Sequence, residues 1–365
     1  MTKAKSRDHK HFQLDSAKIA RAQEALRTKT ETETIERALD FAIEAGWHSQ
    51  LKAHVAYMKS HPNWMRERRY MNDGGFSEFI LTERAASWDD FLVWLDKLYG
   101  AWCFRGQRET EWPLQTSLER ITRVSYSRGN SSGSFQFNRK VEQEQLLSLF
   151  RQMAPNYLPH LPPSEDLSGW LSLMQHHGVP TLMLDWTYSP DVAMYFALEE
   201  EHQLGTKRSA IWAIDLDWLK AKEYELLQLE ETTSASGTHQ TRVGHLNSLI
   251  GQDKTPVIVK IDPLETNERA TAQRGLFLWK RFEETPFFDQ ILMTMMIHPE
   301  IPDRPVIRKL EVGTDQRIKF LRKLAREKDI HRASLFPGLD GFCQSLKRDL
   351  EIKVKEEGAR LSGLD

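Results

Sequence analysis

The chain has 365 residues, 40% of them hydrophobic and 28% charged, with a formal charge of −2 at neutral pH. That balance predicts an ordinary soluble protein of one large domain and something smaller, and it excludes a chain-wide polyanion binder. Cys103 and Cys343 are far apart in apolar surroundings, which gives no metal-ligand spacing and fits a reducing compartment. No apolar run approaches the roughly 18 residues of a membrane span, and the start MTKAKSRDHKHF lacks the apolar stretch of a secretory signal. The expected location is the cytoplasm, with no membrane contact and no metal.

Residues 1–30 are locally basic, with eight Lys or Arg against three acids. His9 to Asp15 alternates as a half-exposed strand does, with Phe12 and Leu14 on one face and His11 and Gln13 on the other. A helix follows, capped by Asp15 or Ser16 and carrying Ile19, Ala22, Gln23 and Leu26 at helical spacing. Thr30 and Glu33 stand in the capping-box relation and open a second helix, with Ile35, Leu39, Ala42 and Ile43 on its apolar face. So short a unit cannot bury its own apolar faces, so pairing or docking is expected. Residues 9–45 resemble a ribbon-helix-helix module. The resemblance implies a homodimer through residues 1–46 and a strand ribbon in the DNA major groove. His11 and Gln13 would then read bases, while Lys10 and the amides near Thr32 contact phosphate. Arg27 to Lys29 replace the usual glycine between the helices, and a dimerisation or docking arm without DNA contact is the alternative.

Residues 47–75 read as a helical linker, with HSQLKAHVAYMKS helical, RERRY a solvated charge run and NDGG a breaker. The boundary is expected near Asp73 to Phe76, leaving 76–365 as the large domain. Trp88 to Tyr99 predicts an amphipathic helix capped by Ser87, with Phe91, Leu92, Leu95 and Leu98 inward. Trp102, Cys103 and Phe104 read as a buried strand, after which Gly106 and Gln107 turn the chain. Arg105, almost never buried unpaired as a residue type, requires a carboxylate or phosphate partner, and a salt bridge to Asp185 is one solution. Trp112, Pro113, Leu114 and Leu118 look like packing, whereas Ser117 and Arg120 are placed to line the same cleft. Tyr126 to Ser134 reads as a flexible loop, and Val141 to Met153 as a helix with Leu146, Leu147 and Phe150 inward.

The most informative stretch is QHHGVPTLMLDWTYSPDVAMYFAL, from Gln175 to Leu198. His176, His177 and Gly178 lead into a turn closed by Pro180 and Thr181. Leu182 to Leu184 form a short buried strand that delivers Asp185, Trp186 and Thr187 at its end. Ser189 and Pro190 are an N-cap and a first-turn proline, opening a helix with Val192, Ala193, Phe196 and Ala197 on its apolar face. A carboxylate between apolar neighbours must cap the helix, pair with a base or face a cleft.

Beyond it, Ala210 to Leu216 and Pro256 to Ile261 read as strands, with a helix and a mobile loop, ETTSASGTHQTRVG, between them. ERATAQRGLFLW, with Arg269 and Gln273, is a helix-to-strand transition with Gly275 at the break. VIRKLEV is another strand, Asp315 to Arg326 a helix, and ASLFPGLDGFCQSLKRDL a turn and a last amphipathic helix.

Four ordered blocks (FRGQ with WPLQTSLER, QHHGVPTLMLDWTYSPDVAMYFA, RATAQRGLF and LFPGLDG) resemble the FRG domain family over about Ser87 to Ser345. The motif order also resembles ADP-ribosyltransferases, which carry an arginine at the end of an early strand and a Ser-Thr-Ser strand turning through proline into an Ala-x-x-Phe-Ala helix. That resemblance implies an α+β fold with a mixed or antiparallel sheet core and flanking helices. It further implies that Arg105 grips the phosphates of NAD and that Asp185, Trp186 and Thr187 replace Ser-Thr-Ser. Gln273 or a neighbour stands where the family has its catalytic glutamate, so Asp185 would have to support the cation that develops on ribose.

Two functions of different class follow. One is an NAD-consuming enzyme acting by transfer to a protein or nucleic-acid acceptor or by hydrolysis, in the manner of bacterial toxin and defence proteins. In it Arg105, Asp185, His176 and Gln273 carry the chemistry, and Gln107, Trp186, Thr187, Ser117 and Arg120 help to bind NAD. The other is a nucleotide-binding sensor without turnover, coupled to a dimeric N-terminal arm.

Overall fold

The computed structural model describes residues 16–26, 28–35, 37–38, 80–128, 131–136, 138–200, 208–227, 257–262, 268–281, 286–296 and 304–361, with Val243, Gly244, Asn247 and Ile250. The chain divides into two compact units, Met1–Leu81 with Ile301–Pro305, and Thr82–Glu300 with Val306–Asp365.

In the first unit, α1 spans Ser16–Leu26. A second helical stretch starts at residue 31, where the Glu33 amide donates to Thr30 Oγ1 at 3.2 Å. The Glu33 carboxylate accepts from the amide of Lys29 at 2.9 Å, one residue before the position that a regular capping box uses. The expected strand with Lys10, His11 and Gln13, and the linker at 47–75, lie outside the described residues.

The second unit is α+β. Seven strands form one sheet: β1 (Leu81–Ala85), β2 (Trp102–Gln107), β5 (Met183–Thr187), β6 (Arg208–Asp215), β7 (Ile258–Ile261), β8 (Gly275–Lys280) and β9 (Ile307–Gly313). Their order is β1-β9-β6-β2-β5-β8-β7, and every pair from β9 to β7 is antiparallel. The stretch expected as a flexible loop instead contributes to a separate hairpin of β3 (Arg123–Arg128) and β4 (Ser131–Gln136). Its alternating small and polar residues satisfy their backbone groups by pairing with each other.

Two strands run further than expected. β2 continues through Arg105, Gly106 and Gln107 because β6 pairs with it over six positions, Trp102 to Gln107. β5 continues through Asp185, Trp186 and Thr187 because β8 covers that edge, with Asp185 opposite Phe277 and Thr187 opposite Gly275. The polar corner is therefore part of the sheet. At the Gln273–Gly275 break the left-handed residue is Arg274, with φ 48°, and Gly275 begins β8.

Two hydrophobic cores cover the sheet. One joins Phe104, Ile211 and Leu310 to helix α2 (Trp88–Asp96) through Phe91 and Trp94, and to α6 (Pro190–Leu198) through Val192 and Ala193. Phe91 faces inward as expected, and so does Trp94, 6.3 Å from Phe104 between ring centroids, whereas Leu92 faces outward at 43% exposure. The other core joins Met183, Trp279 and Val259 to α5 (Leu167–His176) through Leu171 and Met174. As expected, Ser87 caps α2 and Ser189 caps α6, each side chain accepting a helix amide.

Gly106 sets the approach of α6 to β2. A Cβ at this position would lie 2.0 Å from the Ala193 carbonyl oxygen and 2.6 Å from the Ala197 nitrogen, both of them backbone atoms that cannot rotate away. Gly106→Ala is expected to cost about 3 kcal/mol, the upper part of the usual overpacking range. Chemical denaturation reads this, and wild-type stability in the variant would contradict the packing.

Candidate functional site

Between the two cores β2 and β5 are loosely joined. β2 and β5 share one register pair, Phe104 with Thr187, where β2 shares six with β6. Beyond that pair Arg105 reaches across, its Nη1 donating to the Asp185 backbone oxygen at 2.6 Å. A cavity of about 640 Å³ opens here, within the size range of small-molecule sites.

Its lining gathers seven residues singled out from the sequence: Arg105, Gln107, Arg120, Asp185, Trp186, Thr187 and Gln273. Ser117 does not line it. The Ser117 hydroxyl accepts from the Thr181 amide at 3.0 Å, so it fixes the turn ahead of β5. His176, at the end of α5, is also outside the lining and packs edge-on against His177 at 5.0 Å. Burial, then Arg269 and His177, hold its pKa below the ordinary histidine value.

Asp185 is the exposed member of an otherwise buried strand. Its carboxylate neither caps α6 nor pairs with the Arg105 guanidinium within 4 Å; it faces the cavity and accepts from Gln175 Nε2 at 2.6 Å. Gln175 is itself oriented, because its Oε1 accepts from the Thr181 hydroxyl, which in turn accepts from the Met183 amide. That chain of bonds turns the amide nitrogen, not its oxygen, toward Asp185. The expected Arg105–Asp185 salt bridge is thus replaced by a bond to the backbone.

The cations of the cavity fall into two sets. Arg108 is engaged, paired with Glu200 and stacked on Trp112 at 5.0 Å. Arg105, Arg120 and Arg269 have no carboxylate within 4 Å among the described residues. Arg120 donates to the Gln115 carbonyl, and Arg269 stacks on Phe336 at 4.7 Å. Burial lowers the pKa of Arg105 and of Arg269, and the charge of Asp185 opposes the shift in each. Three buried donors of the site, Arg105 Nε, Arg108 Nε and Trp186 Nε1, have no hydrogen-bond partner among the described residues. The other lining carboxylate besides Glu200, that of Glu199, accepts from Arg332. Asp185 is therefore the lining carboxylate without an ion pair, and the local field is positive.

Several polar groups read from the sequence as ligand contacts are spent on the protein. Gln107 accepts from Trp212 Nε1 at 2.7 Å and donates to the Pro113 carbonyl, tying β2 to β6 and to the loop. Thr187 donates to the Gln273 carbonyl at 2.7 Å and accepts from the Ser189 amide. The Gln273 side chain donates to the Leu335 carbonyl at 3.1 Å. Trp186 is 3% exposed, so little of its ring is open for stacking, whereas Trp112, read from the sequence as packing, is 38% exposed at the cavity. Gln175, Arg108 and Trp112 were not marked as site residues by their local pattern. The signal for Gln175 was its place at the start of the central block, ten residues before Asp185.

The described second unit is an α+β domain whose seven-stranded sheet carries the Phe104-Arg105-Gly106 strand. The family model described as FRG domain matches residues 100–205, and the chain carries that domain. The match contains the first two sequence blocks and α6; RATAQRGLF and LFPGLDG lie beyond it. No curated protein and no solved structure matches the chain. No helix among the described residues is long and apolar enough to cross a membrane.

Proposed function

We propose that the cavity binds NAD and cleaves its glycosidic bond, as an ADP-ribosyltransferase-like enzyme that transfers ADP-ribose or hydrolyses NAD. One observation carries this reading: three guanidiniums without a carboxylate partner and one carboxylate without an ion pair line the same cavity. Arg105, Arg120 and Arg269 suit a diphosphate, which guanidinium forks bind bidentately. Arg105 Nε, a buried donor without a partner, is an unused bonding group of the same kind.

In the reaction the bond between ribose and nicotinamide breaks, its electron pair goes to the pyridinium ring, and an acceptor or water adds to ribose and loses a proton. Asp185 is the group placed to stabilise the positive charge that builds on ribose. Gln175 acts as a positioning residue by holding the carboxylate. Gln273 and Thr187 shape the wall in this account, and Trp112 supplies an open aromatic face. His176 serves as a proton acceptor at most, from beside Arg269.

The test is release of nicotinamide from NAD by the purified protein. Gln175→Ala is expected to lower kcat about 10-fold with KM for NAD unchanged, since it loosens the carboxylate and leaves the guanidiniums in place. A rise in KM alone would assign Gln175 to binding instead. The second reading, a sensor without turnover, is favoured by the engagement of Gln107, Thr187 and Gln273 with the protein. NAD binding with no nicotinamide release would establish it.

The reading of residues 1–46 as a DNA-contacting arm is a separate proposal. Binding to duplex DNA that weakens steeply between 50 and 200 mM salt, roughly 10³-fold for six phosphate contacts, is the expected result. Salt-insensitive binding would contradict phosphate contact.

A further inference from the structure

The last helix, α12 (Leu339–Leu361), has two unlike faces. Ser345, Arg348 and Ile352 line a cavity against α10 (Arg317–Lys328) and α11 (Arg332–Leu335), and Arg348 donates to the Glu199 carbonyl. The other face carries Leu339, Phe342, Leu346, Leu350 and Val354, exposed by 75, 51, 54, 61 and 61%. At 3.6 residues per turn these five side chains fall within an arc of about 120° and along about 22 Å of helix. A folded chain rarely leaves so continuous an apolar stripe in water.

We infer that this stripe is an interface with a second copy of the same helix, packed antiparallel. The spacing of the stripe is self-complementary. When two copies run in opposite directions about a twofold level with Asp349, the knobs alternate along the seam: Phe342, the partner's Val354, Leu346, the partner's Leu350, and then the same series reversed. Each side chain enters the gap between two others, as ridge-in-groove packing requires. The same alignment sets Lys347 level with the partner's Glu351, on the same flank, and does so twice across the twofold. These two residues are 78 and 44% exposed beside the stripe; within one chain they lie 3.9 Å apart and Glu351 also accepts from Arg348 at 3.2 Å, so pairing across the seam would exchange the long Lys347 contact for one to the partner's Glu351. Spacing and charge together therefore favour a second copy over an unrelated apolar partner. The contact is distinct from any pairing through residues 1–46.

Cysteine cross-linking of the full-length chain tests the pairing. In the antiparallel alignment the two copies of residue 350 are offset by about 3 Å along the axis, and the two copies of Cys343 by about 18 Å. Leu350→Cys with Cys343→Ser is expected to give a disulfide-linked dimer under mild oxidation, since the Cα separation then falls within disulfide reach. The native chain with Cys343 alone is expected to stay uncrosslinked. Leu346→Glu with Leu350→Glu is expected to weaken self-association at least 100-fold by sedimentation velocity, with the far-ultraviolet circular dichroism unchanged. A wild-type chain that sediments as a monomer at every concentration would overturn the inference, the stripe then being covered by another segment or another protein. So would efficient cross-linking through Cys343, which reports a parallel pair, or a Leu350→Cys chain that does not cross-link.

Discussion

Asp185→Asn is expected to lower nicotinamide release by about 10²- to 10³-fold while the affinity for NAD changes by less than about 10-fold. The substitution preserves shape, and the amide oxygen of asparagine still accepts from Gln175, so β5 and its pairing with β8 remain. What disappears is the negative charge. The other lining carboxylates are Glu199 and Glu200, which are tied to Arg332 and Arg108, so no neighbour can replace it without breaking an ion pair. Steady-state rates with a matched denaturation curve separate lost chemistry from lost fold. Undiminished turnover would remove Asp185 from the mechanism.

Glu119→Ala is expected to destabilise the large unit by roughly 3–5 kcal/mol, the cost typical of removing one partner of a buried ion pair. Glu119 is 2% exposed and gathers four contacts. It pairs with Lys280 Nζ, accepts from the amides of Thr116 at 2.7 Å and Phe287 at 3.0 Å, and lies 4.0 Å from Arg139. Lys280 is fully buried, so the loss of this carboxylate removes an ion-pair partner of an ammonium held in the core. The amide of Thr116 belongs to the capping box that starts α3 (Ser117–Ile121), the helix that carries Arg120 and pins the Thr181 turn through Ser117. Loss of stability should therefore be accompanied by weaker ligand binding at the cavity. Denaturant titration of Glu119→Ala and Glu119→Gln checks this, with Gln less affected because it keeps the shape. A Glu119→Ala chain of wild-type stability would contradict the pairing.

The sequence was most legible where local chemistry fixes structure. Ser87 and Ser189 cap the helices they were expected to cap, and Pro190 sits in the first turn of α6. The α+β class, expected from the resemblance of the motif order, is the class of the second unit. Asp185 and Arg105 stood out because a charge among apolar neighbours demands an explanation, and both line the cavity.

What was hidden depended on partners distant in the chain. Gln107 looked available until Trp212, 105 residues away, took its oxygen. Arg105 bonds to a carbonyl rather than a carboxylate because β2 and β5 separate just there, and no local pattern records where two strands part. Leu92 and Trp94 are both compatible with an inward face of α2, and the ring of Phe104 decides between them. Residues 126–134 looked like a loop because small and polar residues carry little strand propensity, yet 126–128 pair with 131–133. Gly106 reads as a turn in the sequence. In the fold it is the point at which a helix backbone touches a strand.

The central claim is that the cleft between β2 and β5 binds and consumes NAD through Arg105. Calorimetric titration of NAD into the wild-type chain and Arg105→Ala, with nicotinamide release followed in the same samples, tests it most directly. The account predicts binding and release by the wild type and at least a 100-fold loss of both in Arg105→Ala, with the variant still folded. Binding and release of equal strength in the two proteins would contradict it, as would a wild-type chain that neither binds NAD nor releases nicotinamide.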